Sequence, residues 1–290
     1  MRLVFLGTPD AAVPPLRALV SAGHDVVCVV TRADKRRGRG ADLSASPVKV
    51  AATELGLRVS HRVDDVIGSG AELGVVVAFG QLIKPHVLAE LPMVNLHFSV
   101  LPRWRGAAPV ERAILAGDHE TGVCVMDVEE GLDTGGVYAV ERLAIGPDET
   151  AAHLRARLVE VGTGLLLEVL ARPGGIGEPV PQAGEPTYAA KVTPEDLRLD
   201  WARPAVELAR LPRVGKAWTA FRGRRLLVLE ARAVEGRSER AVLDGVRVGT
   251  GEGLLELLTV QPEGKPPLPA VAWRNGARPA PGERLGACSG

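Results

Sequence analysis

The first thirty residues, MRLVFLGTPDAAVPPLRALVSAGHDVVCVV (1–30), decide the fold. Leu3 to Leu6 form an apolar run of strand length stopped by Gly7-Thr8-Pro9, and DVVCVV (25–30) is a second such run. Between them Leu16, Leu19 and Val20 recur at helical spacing, and Gly23 closes that pattern. Two parallel strands need a crossover of a dozen residues or more, usually a helix, so strand, helix and strand in this order start a parallel sheet. Further along, SPVKVAATELG (46–56) has a Ser-Pro helix start and a glycine stop, while GVVVAFG (74–80) and VNLHFSV (94–100) read as strands. The alternation predicts a doubly wound α/β domain that holds its ligand at the carboxyl ends of the strands.

The texture changes near residue 173. RPGGIGEPVPQAGEPTY (172–188) concentrates Gly and Pro, which neither continue a helix nor fill a central strand. The expected division is therefore a catalytic domain over 1–172, a linker over 173–197 and a second domain over 198–290. That second domain is expected to open with a short helix near 203–211. Short strands follow, punctuated by RGRR (222–225), LDG (243–245) and GTGEG (249–253), the turn spacing of a small β-barrel or sandwich.

With 46% hydrophobic residues among 290, the chain can bury a sizeable core, and 35 Lys plus Arg balance 35 Asp plus Glu. Total charge thus favours neither nucleic acid nor membrane, but residues 198–247 hold twelve Arg or Lys against six Asp or Glu. Such a surplus is either a solvated surface or an electrostatic footprint for phosphates. The three cysteines, Cys28, Cys124 and Cys288, are far apart, without a C-x-x-C pair and without a secretory leader before MRLVFLGTPD. A reduced, cytoplasmic protein is expected. No run approaches the roughly 20 apolar residues that span a bilayer, so no membrane partner is expected.

Period-two alternation over VNLHFS (94–99) turns Val94, Leu96 and Phe98 one way and Asn95, His97 and Ser99 the other. Two readings of His97 stand: a core histidine bonded to a neighbour, or one half of a site. Asn95 favours the second, because an amide and an imidazole two residues apart on a strand offer two donors to one developing oxyanion. Attack by an amine on a carbonyl-like carbon fits such a pair. His97 then needs a carboxylate partner, and EEGLDTGG (129–136) offers Asp133 between glycines, unless Asp133 only holds its own turn. The six histidines lack H-x-x-x-H spacing, and GTPDAAVP follows the first strand where a dinucleotide fold has G-x-G-x-x-G. Neither a P-loop nor a G-x-S-x-G elbow is present.

VNLHFSVLPRWRGAAP (94–109) together with GLDTGG (131–136) resembles the folate-dependent formyltransferases, and the RWRGAAP ending is most similar to their methionyl-tRNA branch. Further landmarks are FLGTPDAAVPPL (5–16), GRGADLSASPVK (38–49), VVVAFGQLIKPHVL (75–88), TYAAKVTPED (187–196) and GTGEGLLELLTVQPEGK (249–265). The resemblance implies a Rossmann-like formyltransferase domain of mostly parallel sheet, a linker and a small OB-like β-barrel domain. It implies Asn95, His97 and Asp133 as the catalytic set. A folate pocket is implied around Phe79, Gly80, Gln81, Leu82 and Ile83 and around Ser99, Val100, Leu101 and Pro102, with main chain near Gly80 and Leu82 bonded to the pterin. By residue type alone, Phe79 and Leu82 fit a core equally well.

The implied reaction moves the formyl group of 10-formyltetrahydrofolate to the α-amino group of methionine on initiator tRNA, with no metal. The loop ADKRRGRGADLS (33–44), through Arg36, Arg37 and Arg39, would enter the acceptor stem, since the guanidinium fork suits phosphates and base edges. The basic second domain would follow the tRNA backbone, and a monomer is expected. Two departures stand out. Phe98 occupies a position where the family commonly has a small residue, and LPRVGKAWTAF (211–221) lacks much of the usual Asn-Pro-Trp-Pro pattern. Competing assignments are a formyltransferase acting on phosphoribosylglycinamide or an amino sugar, and a noncatalytic tRNA-binding protein. The basic loop argues against the first, and the retained Asn, His and Asp against the second.

Overall fold

The computed structural model describes residues 1–36 and 43–286, so Arg37, Arg39 and Cys288 lie outside the described residues. The chain divides into two compact units. One comprises Met1–Val110, Glu120–Ala144 and His153–Ala190; the other comprises Glu111–His119, Ile145–Ala152 and Lys191–Gly290.

The first unit holds a seven-stranded sheet: β1 (Arg2–Gly7), β2 (Asp25–Val30), β3 (Val59–Ser60), β4 (Leu73–Val77), β5 (Met93–His97), β6 (Glu120–Asp127) and β7 (Val137–Ala144). Their spatial order is β7-β6-β5-β4-β1-β2-β3. β1 to β5 run parallel, whereas β6 is antiparallel to β5 and β7 to β6. Every residue of β4 and all but Arg2 of β1 are buried, as parallel strands covered on both faces require. Helices α1 (Val13–Ser21) and α2 (Pro47–Glu54) lie close to the expected positions. At the start of α2 the Ser46 Oγ accepts the Lys49 N–H at 3.0 Å, and Pro47 opens the first turn. Helix α3 (Ala151–Leu170) packs close against the sheet: a Cβ on Gly162 would stand 2.8 Å from Val123 and 3.2 Å from Leu96. Leu96 therefore faces α3, which turns Asn95 and His97 to the opposite face.

Both site-bearing strands end earlier than the apolar runs suggest. β4 stops at Val77 because Ala78 (φ 46°) and Gly80 (φ 73°) take left-handed backbone, and β5 stops at His97. Phe79 and Phe98 thus lie beyond strand ends. The stretch expected as a linker over 173–197 is divided: residues through Ala190 pack with the first unit and the second resumes at Lys191. Gly and Pro prevent regular structure there, but they leave carbonyls and side chains available for bonds to the neighbouring loops. Val180 exchanges two backbone bonds with Val137 at 2.8 and 2.9 Å, and Tyr188–Ala189 pairs in parallel with Arg105–Gly106.

The second unit is built on a six-stranded antiparallel sheet: β8 (Ala217–Phe221), β9 (Arg224–Val234), β10 (Leu243–Asp244), β11 (Arg247–Gly249), β12 (Leu254–Pro262) and β13 (Leu268–Pro269). Its core gathers Leu208, Leu211, Val228, Leu255 and the tryptophans Trp201 and Trp273. The helix expected near 203–211 is two short ones, Ala205–Leu208 and Leu211–Val214. Pro212 explains the break, since its ring would clash with the carbonyl of residue 208 in a continuous helix. No helix among the described residues is long and apolar enough to cross a membrane.

Glu256 on β12 accepts from Arg232 at 2.5 Å and from Arg247 at 3.1 Å, and these two guanidinium groups hold its carboxyl below the usual range. A lowered folded-state value stabilises above the unfolded value and loses that stabilisation as pH falls through the folded one. Glu256→Gln is therefore expected to lower the Tm at neutral pH. Thermal melts of the two proteins should begin to converge as the pH falls below about 4, where the unfolded carboxyl is protonated, and meet once the folded one is protonated too.

Candidate active site

In the order β3-β2-β1-β4-β5, the chain moves outward from β1 in one direction and returns to β4 on the other side. The crevice beyond the ends of β1 and β4 is therefore the position at which such sheets bind ligands. A cavity of about 660 Å³ lies there. Pro9 borders it after β1, Ala78 to Ile83 after β4, Asn95 to Phe98 on and after β5, and Val128 to Asp133 from the chain that returns between β6 and β7. Val76, Phe79, Ile83, Phe98 and Met126 make the walls largely apolar, with Asn95, His97 and Asp133 converging as polar groups.

His97 is buried and hydrogen-bonded at one ring nitrogen, with a carboxylate near the other. Its Nε2 lies 3.0 Å from the Trp104 carbonyl, so that nitrogen carries a hydrogen and donates it. Its Nδ1 faces the Asp133 Oδ2 at 3.6 Å, and the two side chains are only 6% and 15% exposed. The same Oδ2 accepts the Gly106 N–H at 2.7 Å. Asp133 has φ 51°, a left-handed conformation for which Asp and Asn are among the better suited residues. Gly106 has φ 119° and sits so close to the chain after Thr187 that a Cβ would stand 3.0 Å from the Ala189 carbonyl, which reserves this position for glycine. Asn95 is half-buried beside them, and among the described residues its carboxamide has no protein hydrogen-bond partner.

The backbone that shapes the pocket is itself tied down. Trp104, at φ 63°, donates its N–H to the Thr187 Oγ1 at 2.9 Å, and Arg105 N donates to the Thr187 carbonyl at 2.8 Å. Cys124 stands opposite His97 in the β5–β6 register, yet burial pushes its thiol up to about 12. Burial thus disfavours the thiolate that a nucleophilic cysteine needs.

The geometry brings Asn95, His97 and Asp133 to one cavity, with Phe79, Gly80, Gln81, Leu82 and Ile83 in its lining. Phe79 and Ile83 also pack into the core with Val4, Leu6 and Val76, while Leu82 is 79% exposed. Ser99, Val100, Leu101 and Pro102 are not among the lining residues. Ser99 is fully buried with its Oγ donating to the Arg103 carbonyl at 2.6 Å, which directs it into the loop. Phe98 lines the cavity and does not pack behind the strand, because β5 has already ended. The contributions of Gly106, Ala107, Met126 and Leu132 were missed by the sequence reading. RWRGAAP spans Gly106 and Ala107 and GLDTGG spans Leu132, but register and loop return, which bring them to the cavity, are not written in residue type.

Of the basic loop, Lys35–Arg36 pairs with Leu43–Ser44, and Lys49 bonds Asp34 at 2.7 Å at its base. In the second unit, six of the twelve basic residues of 198–247 face a carboxylate: Arg198, Arg203, Arg222, Arg224, Arg232 and Arg247. Internal pairing thus neutralises much of the surplus charge seen in sequence.

Residues 1–170 match the family model described as Formyl transferase, and residues 191–278 match Formyl transferase, C-terminal domain. A Methionyl-tRNA formyltransferase of Dinoroseobacter shibae is 46% identical over 282 residues, 91% of this chain and 94% of that one. That of Streptomyces coelicolor is 44% identical over 310 residues, 99% of this chain and all of that one. Among solved structures, the sugar 3N-formyl transferase WlaRD superposes with a TM-score of 0.68 at 15% identity, over 92% of this chain and 99% of that one. Methionyl-tRNA formyltransferase from Clostridium thermocellum gives 0.57 at 16% identity, over 83% and 95%. Those two likenesses concern the fold alone. Identity of this level sustained from end to end places more than the fold: the chain belongs to the family of the methionyl-tRNA formyltransferases.

Proposed function

We propose that the protein transfers the formyl group of 10-formyltetrahydrofolate to the α-amino group of methionine on initiator tRNA, with Asn95, His97 and Asp133 as the catalytic residues. The observation that carries the proposal is the convergence of these three side chains on one largely apolar cavity. The methionyl amine attacks the formyl carbon, an oxyanion develops, and the bond from that carbon to the folate nitrogen then breaks. The amine loses one proton and the folate nitrogen gains one, so the step is balanced.

Because Nε2 is committed to the Trp104 carbonyl, Nδ1 is the ring nitrogen left for chemistry. Protonated, with Asp133 as its counter-ion, Nδ1 and the Asn95 amide together donate to the oxyanion. The same nitrogen can relay the proton that leaves the amine. The cavity's volume suits a molecule of folate's size, and Phe79 to Ile83 would flank its flat heterocycle. Arg36, Arg37 and Arg39 would contact the acceptor stem, with basic residues of the second unit that face no carboxylate among the described residues, such as Lys216, Arg237 and Arg240, adding contacts to phosphates.

The test is formylation of initiator methionyl-tRNA, elongator methionyl-tRNA and small free amines across a salt titration. The expected result is a clear preference for the initiator and a steep fall in kcat/KM with salt, the signature of a polyanionic acceptor. A flat salt response, or equal rates on a free amine, would overturn the assigned acceptor. Arg39→Ala is expected to lower kcat/KM for methionyl-tRNA and to leave the KM for the folate unchanged.

A further inference from the structure

Beyond the three residues around the cavity lies a fourth group whose bonds have no structural task as evident as theirs. Gln182 sits in the Gly- and Pro-rich stretch that pairs with the first unit, half-buried although its neighbours Pro181 and Ala183 are exposed. Its Nε2 donates to the Asp133 carbonyl and to the Gly135 carbonyl, each at 2.8 Å. Its Oε1 accepts Arg105 Nε at 3.1 Å and Nη2 at 2.6 Å. This amide orientation is the one that works, because the reverse would set NH₂ against guanidinium N–H and oxygen against two carbonyls. All four hydrogen-bonding positions used are thus matched in kind.

The two accepting carbonyls flank Thr134, at the turn that carries Asp133. Gly135 is pressed so closely on the Asp127 carbonyl that a Cβ would stand 2.1 Å from it, and Asp133 has left-handed backbone. A turn of this kind needs an external clamp to keep one conformation. Arg105, which holds the clamp, directly precedes Gly106, whose N–H holds the Asp133 carboxylate. Gln182 therefore ties the backbone of the turn to the same segment that grips its side chain.

We propose that Gln182 is a positioning residue for formyl transfer: by bonding the Asp133 and Gly135 carbonyls it fixes the Asp133 carboxylate against His97 Nδ1. The proposal rests on Asp133 acting with His97 as described above. Without the clamp the carboxylate drifts, and a displacement near 1 Å costs up to about 10²-fold in rate. Substrate binding is left unaltered, because Gln182 is not part of the cavity lining.

Two substitutions separate the bonds. Gln182→Glu keeps an acceptor for Arg105 and removes both donations to the turn, while Gln182→Met removes everything at similar volume. Steady-state kinetics with 10-formyltetrahydrofolate and methionyl-tRNA should show kcat reduced roughly 10- to 100-fold in both variants, with each KM within about threefold of wild type. On an Asp133→Asn background, either Gln182 substitution should cost less than about twofold more, since the two residues act in one chain of contacts. Wild-type kcat in Gln182→Glu would overturn the proposal, even if Gln182→Met failed to fold, because it would show the donations to be dispensable. A full further loss on the Asp133→Asn background would also overturn it, since Gln182 would then act by another route. If Asp133→Asn is itself fully active, the catalytic assignment fails and this proposal with it. If Asp133→Asn is impaired and the Gln182 variants are not, this proposal alone fails.

Discussion

Asn95→Ala is expected to lower kcat for formyl transfer by about 10² to 10³-fold while the protein stays folded, with its Tm close to that of wild type. Asn95 lies on β5 with its carboxamide toward the cavity, and among the described residues no protein group is bonded to it. Truncation therefore orphans no buried partner, and the usual cost of breaking an internal hydrogen bond does not arise. The cost falls on the transition state, where one of two donors to the oxyanion is missing. Because that oxygen is a weaker acceptor in the ground state, KM for the folate should change far less than kcat. Single-turnover formylation with saturating folate isolates the chemical step. A rate within about threefold of wild type would remove Asn95 from the oxyanion site, since a donor in place contributes more than that.

The site was legible in sequence where it depends on local periodicity, and hidden where it depends on loops that return from far along the chain. Alternation along β5 separated Asn95 and His97 from Leu96, and the packing of Leu96 toward Gly162 agrees with that separation. The same alternation misled at Phe98, because it assumes that the strand continues, and β5 ends at His97. Ser99 failed in the same way: its hydroxyl follows the loop to the Arg103 carbonyl. The parallel sheet was readable because β1 and β2 are continuous apolar runs with a helix pattern between them. By contrast, the Gly- and Pro-rich stretch from 173 was expected as a linker, and within it Val180, Gln182 and Thr187 all bond to loops and strands of the first unit. Composition reports which regular structures a segment cannot form, and it says nothing about irregular bonds made by single side chains. The second unit teaches a related lesson about charge. A surplus of Arg and Lys in sequence overstated the open positive surface, because six of those residues face carboxylates, some of them outside the counted stretch, such as Glu256, Glu263 and Glu283.

Asp133→Asn is expected to have the larger effect, a loss of roughly 10³ to 10⁴-fold in kcat with little change in stability. The backbone tolerates the change, since Asn adopts the left-handed conformation at φ 51° as readily as Asp does. The side chain can also keep its bond to the Gly106 N–H by presenting its oxygen there. That oxygen takes the place of Oδ2 and therefore also faces His97 Nδ1, so what the substitution removes is the negative charge. With Nε2–H already bound to the Trp104 carbonyl, the neutral imidazole has a lone pair on Nδ1 where the reaction needs a hydrogen, and Asn supplies no charge to pair with a protonated ring. In serine proteases the same swap beside the catalytic histidine costs about 10⁴-fold, there because it imposes the wrong tautomer. Asp133→Ala serves as the contrast. It removes the charge as Asn does, but it also leaves the Gly106 N–H without its partner and places alanine at a positive φ. Its Tm should therefore fall, and its kcat should be reduced at least as much as that of Asp133→Asn. An Asn variant within about tenfold of wild type would show that Nδ1 has no need to donate, and the oxyanion would then rest on Asn95 alone.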